Sequence, residues 1–310
     1  MNRGNAMHRL IHSIRPLALA LLALLSQPAP AALNVLACEP EWAALAQELA
    51  GDKATVHSAT TALQDPHRIE ARPSLIARAR NADLVVCTGS EMEAGWMPLL
   101  LTQSGNARIQ PGTPGFLETA PLVPRLDIPK ILDRSQGDIH PGGNPHIHLD
   151  PRNIARVAEV LRDRLIAVDA ANAETYKARA SAFLARWREA TERWEAKAAP
   201  LRGLTMVVYH KNMVYLSAWL GLREVGSLEP KAGLPPTTAH LADLVARMQR
   251  EPARLIVYSA YNDPRAAAFL SERTRIPAVM VPYTVGGSDA AKDLFGLFDD
   301  TLARLLAALK

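Results

Sequence analysis

The stretch that decides the fold is NAETYKARASAFLARWREATERWEAKAA, residues 172–199. It contains neither glycine nor proline, and its apolar residues recur at helical spacing, which predicts one continuous helix over 171–199. At 1.5 Å per residue such a helix is roughly 40 Å long, longer than the usual helix of a globular protein. Phe183, Trp187 and Trp194 share one face of it, and we expect this stripe to pack against a lobe of the fold.

Short apolar runs alternate with helix-like segments on both sides of this helix. The strand-like runs are 33–37, 54–59, 83–87, 204–210, 223–228, 253–260 and 277–283. Their alternation with helices is typical of a parallel sheet covered on both faces. We therefore predict an α/β fold of two lobes, each a parallel-rich sheet with flanking helices, joined by one long α-helix. The predicted domains are an N-terminal lobe at 32–169, a linker helix at 170–200 and a C-terminal lobe at 201–310.

Residues 1–31 have the pattern of a secretory signal peptide. A basic start without acids leads into the apolar run LALALLALL (17–25), and SQPAPAA then offers small residues before a cleavage after Ala31. The run is too short to cross a bilayer as a stable helix, so a membrane anchor is the weaker interpretation. A lipoprotein modified at Cys38 is weaker too, because a complete conventional signal precedes that residue. We expect an exported protein of the periplasm, with no stable membrane insertion after signal removal.

The charge balance excludes some classes of partner. The whole chain carries 35 basic and 31 acidic residues, for a net charge of +4. Removing Arg3, Arg9 and Arg15 with the signal leaves 32 basic residues against 31 acidic ones, or +1. A nearly neutral chain lacks the basic surface that nucleic acid or anionic membranes require. We therefore expect no nucleic-acid partner.

Two cysteines end two of the strand-like runs. Cys38 follows LNVLA and Cys87 ends ADLVVC, so in a parallel sheet both thiols would lie at its carboxyl edge. Outside the cytoplasm they could form a disulfide. They could equally remain buried free thiols, which behave as small apolar side chains. The sequence leaves both alternatives open, because it does not supply the Cα separation that a disulfide demands.

Three histidines lie where a doubly wound α/β fold binds its ligands, outside the carboxyl ends of the strands. His67 stands in the loop after the second strand-like run, and His210 ends the run LTMVVYH. His146 belongs to HPGGNPHIHLDP (140–151), just before a helix start. Imidazole nitrogen is a donor that suits Zn²⁺. Three such residues at equivalent edges predict a metal site.

Four segments resemble motifs of a known family, the metal-binding proteins that serve zinc and manganese ABC importers. The resemblance covers essentially the whole mature chain in the right order, through QDPHRIEARPSLIARARNADLVV (64–86), GSEMEAGWMPLLL (89–101), NPHIHLDP (144–151) and YHKNMVYLSAWLGL (209–222). It implies two α/β lobes bridged by one rigid helix, with the metal held in the cleft by His67, His146 and His210. It also implies a monomeric carrier, not an enzyme, whose partner is the membrane permease of an ABC importer.

The resemblance also bears on which metal is bound. Manganese members place an acid where this chain has His210, so the donor set implies Zn²⁺, with manganese less favoured. The family's fourth ligand is commonly a carboxylate in the loop after the last strand, where this chain has Val285 near the expected place. Asp289, Asp293 or a water molecule remain alternatives for that fourth position.

Several polar residues near these motifs have a structural interpretation as well as a functional one. His148 replaces the family's usual tryptophan, and packing in place of that ring is favoured over a spare ligand. His140 could carry metal toward the site, but a plain surface histidine is the favoured interpretation. Glu70 could accept a hydrogen bond from the His67 ring or be a surface acid. Glu229, in a cleft-edge loop, is expected to be structural.

One other class of function competes with a metal carrier. An exported zinc-dependent hydrolase could use the same three-histidine site and an activated water. Catalysis would need an acid or base beside that water, and the motifs offer no clear one. An H-E-x-x-H run is also lacking, and nothing suggests the thiolate or thioether of a copper or redox site. The sequence therefore predicts an extracytoplasmic protein that captures Zn²⁺ and delivers it to an ABC importer.

Overall fold

The computed structural model describes residues 32–310, apart from positions 132, 134 and 136. The predicted signal peptide, residues 1–31, lies outside the described residues. Leu33–Lys310 forms one compact unit. Within the described part of this unit, no helix combines the length and the apolarity needed to cross a membrane.

The first half of the chain forms a four-stranded parallel sheet in the order β2-β1-β3-β4. Its strands are β1 (Leu33–Ala37), β2 (Ala54–Ser58), β3 (Leu84–Cys87) and β4 (Phe116–Glu118). The helices of this half are α1 (Pro40–Ala50), α2 (Pro73–Asn81) and α3 (Met97–Ser104), each with proline in its first two positions, where a missing N–H is harmless. The sequence analysis did not predict β4, because three residues are too few to show an alternation.

Two helices connect this sheet to the second one. Helix α4 (Pro151–Val168) begins at the Asp150 cap, whose side chain accepts a hydrogen bond from Arg152 N. Helix α5 (Ala173–Lys197) is the long helix, with 25 residues. Short 3₁₀ turns at Ala170–Asn172 and Ala199–Leu201 flank it. The long helix expected over 171–199 is therefore present between the sheets.

The second sheet repeats the topology of the first, with all strands parallel in the order β6-β5-β7-β8. Its strands are β5 (Thr205–Val208), β6 (Arg223–Ser227), β7 (Leu255–Ser259) and β8 (Ala278–Val281). Its helices are α6 (Val214–Leu220), α7 (Thr238–Arg250), α8 (Arg265–Thr274) and α9 (Leu294–Ala307). Two parallel sheets with flanking helices and a long helix between them confirm the predicted fold class.

The aromatic stripe of α5 lies in the core that both sheets share. Phe183, Trp187 and Trp194 are almost completely buried, in one apolar cluster with residues of β1, β3, β5 and β7. The Trp187 indole N–H donates to the carbonyl of Pro151 at 2.8 Å, so the buried donor is satisfied. The predicted packing of this stripe is confirmed. Because one core joins α5 to both sheets, the carboxyl ends of the strands are held in place around the interlobe cleft.

Cys38 and Cys87 are joined by a disulfide bond, with their Cα atoms 4.8 Å apart. The bond is possible because β1 and β3 are neighbours in the sheet and both cysteines lie at its carboxyl edge. This resolves the alternative that the sequence left open. A carboxylate oxygen of Glu93 lies within 4.8 Å of both sulfurs. The disulfide consumes both thiols, so this trio is not a metal site.

Candidate metal site

His67 is oriented by the residue two positions before it. In Asp65-Pro66-His67, Asp65 Oδ1 accepts hydrogen bonds from His67 N at 3.0 Å and from His67 Nδ1 at 2.8 Å. Because a carboxylate only accepts, the ring proton is on Nδ1. The Nε2 atom is then left with its lone pair, and it is buried without a hydrogen-bond partner.

His146 is held in the same way by a related motif. In Asn144-Pro145-His146, Asn144 Oδ1 accepts from His146 N at 3.1 Å and from His146 Nδ1 at 2.8 Å. The Asn144 amide nitrogen donates to the carbonyl of Lys211 at 2.7 Å, which fixes the orientation of the amide. His146 is fully buried, and its Nε2 also lacks a partner. Two copies of one turn, Asp/Asn-Pro-His, therefore present two imidazoles identically.

His210 follows β5 and is oriented from a different loop. Its Nδ1 lies 2.7 Å from Glu229 Oε2, which also accepts a hydrogen bond from Gly233 N at 2.8 Å. Glu229 thus orients the ring and stabilises its own loop, as a structural residue would. As in the other two histidines, a hydrogen-bond acceptor lies beside Nδ1, so Nε2 points away from that acceptor.

The three rings meet in the cleft between the sheets. Ring centroids are 5.6 Å apart for His67 and His146, 5.9 Å for His67 and His210, and 5.7 Å for His146 and His210. Imidazoles bound tetrahedrally with Zn–N distances of about 2 Å would place their centroids about 5 Å apart. The observed centroids are further apart than that, and no three of the ring nitrogens lie within 4.8 Å of one another, so the rings must approach one another to share one ion. Cavities of about 350 and 190 Å³ border His210.

A fourth ring, His140, lies in the same cluster. Its centroid is 5.3 Å from that of His67 and 6.4 Å from that of His146. Its Nδ1 is 3.0 Å from the carbonyl oxygen of Ser90, and its Nε2 is buried without a partner. The favoured interpretation of His140 as a plain surface histidine was wrong. The missed contact joins residues 50 positions apart, which no local pattern indicates.

The surroundings of His140 and His146 disfavour the protonated forms of these two imidazoles. Burial, and then the charge of neighbouring histidines, holds the pKa of His146 well below its ordinary value. The same two causes lower the pKa of His140 to about 4. Burial acts to raise the pKa of Asp65, but its hydrogen bonds to His67 and the histidine charges outweigh burial and lower it. Neutral imidazoles beside an ionised carboxylate are the forms that bind a cation.

The other acids proposed around the site lie elsewhere. Asp293 caps α9, where its Oδ1 accepts from Gly296 N at 2.7 Å, and Asp289 is exposed. Glu70 is also exposed, and the hydrogen bond from the His67 ring is accepted by Asp65 and not by Glu70. The repeated Asp/Asn-Pro-His motif was the sequence signal that could have identified Asp65.

His148 packs behind the cluster. It is fully buried and lies edge-on to Tyr283, with centroids 4.9 Å apart, and to Trp42, at 6.5 Å. Its Nε2 lies 3.0 Å from the carbonyl oxygen of Tyr283. Its Nδ1 is 3.1 Å from Glu41 Oε1, close enough for an ion pair but poorly aligned for a hydrogen bond. These contacts agree with the interpretation of His148 as a packing residue.

Comparison with known proteins identifies relatives of this fold and site. The chain is 24% identical over 235 residues to the zinc-binding lipoprotein AdcA of Streptococcus pneumoniae, covering 74% of this chain and 46% of AdcA. It is 26% identical over 208 residues to the manganese-binding lipoprotein MntA of Halalkalibacterium halodurans, covering 65% of this chain and 63% of MntA. This chain therefore spans about half to two thirds of these curated relatives.

A solved structure and a family model extend the comparison to almost the whole chain. The fold is similar to that of the crystal structure of ZnuA, with a TM-score of 0.75 and 19% identity over 90% of this chain and 100% of that one. The model of the family described as "Zinc-uptake complex component A periplasmic" matches residues 35–308. The chain therefore belongs to this family of periplasmic metal-binding proteins of ABC transporters.

Proposed function

We propose that this protein captures Zn²⁺ in the interlobe cleft through His67, His146 and His210 and delivers it to the membrane permease of an ABC importer. The observation that carries the proposal is the hydrogen-bonding arrangement that the three rings share. Each has Nδ1 occupied by an acceptor, which leaves Nε2 available in the cleft. We propose that it acts outside the cytoplasm as a monomer after removal of residues 1–31.

Zinc is favoured over manganese by the chemistry of these donors. All three are borderline imidazole nitrogens, whereas a hard cation such as Mn²⁺ prefers carboxylate and water oxygen. The carboxylates that touch the rings, those of Asp65 and Glu229, accept hydrogen bonds from Nδ1 atoms. Relatives named for zinc and for manganese share this fold family, so the choice of metal rests on the side chains.

The proposal is tested by metal competition on purified protein. Apo-protein dialysed against equal concentrations of Zn²⁺, Mn²⁺ and Fe²⁺ should retain one equivalent of zinc by elemental analysis. H67A, H146A and H210A should each lose most of this zinc. H57A is the matched control, because His57 lies on β2 and is the same residue type outside the cluster. Retention of manganese or iron in place of zinc would contradict the choice of metal.

Delivery needs a separate test in cells. A strain lacking this protein should take up less radioactive zinc under zinc limitation, and the wild-type gene should restore uptake while the triple histidine variant should not. The hydrolase alternative predicts turnover of activated esters by the zinc-loaded protein. We expect none above that of H210A, because Asp65 and Glu229 already hold imidazole protons and neither is a free general base.

A further inference from the structure

The His140 ring is in the same chemical state as the three proposed zinc ligands. The carbonyl oxygen of Ser90, 3.0 Å from Nδ1, can only accept, so the ring proton is on Nδ1. Nε2 then carries the lone pair, is buried, and lacks a hydrogen-bond partner. The Nε2 atoms of His67 and His146 are buried without a partner too, so three unpartnered imidazole nitrogens belong to one cluster of rings, as a shared bound cation would require.

The turn that positions His140 is conformationally unusual. Ser90 and Glu91 are consecutive residues with φ of 49° and 63°, a left-handed conformation that non-glycine residues seldom adopt. The buried carboxylate of Glu93 stabilises the turn by accepting hydrogen bonds from Thr88 N at 2.7 Å and Gly89 N at 3.0 Å. Such backbone strain persists where surrounding contacts enforce it, commonly at binding sites. Here its result is a carbonyl aimed at one imidazole.

The loop 137–143, which carries His140, is also attached to the second lobe. Gly137 pairs with Ala232 in an isolated parallel bridge, and Asp138 N donates to the Ala232 carbonyl at 2.9 Å. Ala232 lies between Glu229 and Gly233, whose hydrogen bond fixes the loop that orients His210. The loop 137–143 therefore crosses the cleft and is held at both ends, by the Ser90 turn on one lobe and by the His210 loop on the other.

We infer that His140 is the fourth protein ligand and that this chain binds its metal through four imidazoles. This inference rests on the proposed function and replaces the carboxylate or water expected at the fourth position. A set of four neutral nitrogens favours a borderline cation such as Zn²⁺ and gives Mn²⁺ no oxygen donor. His140 is thus a specificity-determining residue as well as a ligand.

The direct test counts the imidazoles around zinc. X-ray absorption spectra of the protein loaded with one equivalent of Zn²⁺ should fit four imidazoles at about 2.0 Å. H140A should fit three imidazoles and one oxygen, and its zinc affinity should fall more than about ten-fold, the lower bound for losing even an outer-sphere partner. H57A should match the wild type in both measurements.

A second pair of variants moves the loop without removing a donor. A Cβ on Gly137 would lie 2.2 Å from the carbonyl oxygen of Ala232, so G137A must displace the loop. Gly112 has a similar positive φ, 88° against 95°, but no atom lies within 4 Å of its Cβ position. G137A should weaken zinc binding as H140A does and lower the imidazole count, whereas G112A should do neither.

The outcomes separate this inference from the proposed function. If the wild type fails to bind one equivalent of zinc, the proposed function is wrong. If the wild type binds zinc through three imidazoles and H140A has the affinity of H57A, the function stands and the fourth-ligand inference is wrong. Circular dichroism of each apo-variant verifies that it folds, so that a lost ligand is distinguished from a lost structure.

Discussion

Replacing Asp65 tests how the cluster holds its rings. D65A removes the acceptor for both His67 N and His67 Nδ1, so the ring loses its tautomer and its orientation. Loss of such a partner typically weakens metal binding about 10–100-fold. A hydrogen bond to a charged acceptor is worth about 1.5–3 kcal/mol, and about 2 kcal/mol corresponds to roughly 30-fold. We therefore expect D65A to weaken zinc binding about 30-fold.

D65N separates geometry from charge. Asparagine stands at the equivalent position before His146, where its Oδ1 makes the same two hydrogen bonds. D65N should therefore retain the ring orientation and lose only the extra strength of a charged acceptor, about 1 kcal/mol or roughly five-fold. The reciprocal change N144D should weaken binding despite its added charge, because aspartate cannot donate to the Lys211 carbonyl as Asn144 does.

Competition with a chromophoric chelator at neutral pH measures these affinities. D289A and D289N are the matched controls, since Asp289 is an exposed aspartate, and both should bind zinc like the wild type. The reasoning fails if D65A binds as tightly as D289A. It also fails if D65N is as damaging as D65A, because the carboxylate would then matter for its charge and not for orienting the ring.

Three further outcomes are expected from the packing and electrostatics. Burial raises the pKa of Glu93 from its ordinary 4.5 to about 7. Between those values the folded state therefore binds more protons than the unfolded state. The stability contributed by the protonated Glu93 carboxyl is fully present below pH 4.5 and is lost as pH rises through 7. Urea unfolding should show this decline in the wild type and a flatter profile in E93Q. Reducing the Cys38–Cys87 bond, which closes a separation of 49 residues, should lower the free energy of unfolding by about 2–4 kcal/mol, measured against unreduced protein in guanidinium chloride. E41A removes the acceptor of the buried Thr284 hydroxyl, so it should destabilise the fold by about 1–3 kcal/mol. Elemental analysis of E41A should still find one zinc, whereas loss of the metal would identify the neighbouring His148 as part of the site.

The sequence by itself determined the parts of this protein that depend on neighbouring residues. Helical spacing without glycine or proline predicted α5, because helix hydrogen bonds join residues four apart. Apolar runs alternating with helices predicted two parallel sheets, and the rule for ligand sites at strand ends selected His67, His146 and His210. The orientation of His67 and His146 was also encoded locally, since an Asp/Asn-Pro-His turn spans three residues.

Only the tertiary structure decided which distant residues meet. His140 reaches Ser90 across 50 positions, and Glu229 reaches His210 across 19. Cys38 and Cys87 are bonded because the strand order places β1 beside β3. The low pKa values of His140 and His146 arise chiefly from burial. Strand order and burial result from many weak contacts summed over the whole core, so no short segment of sequence carries them.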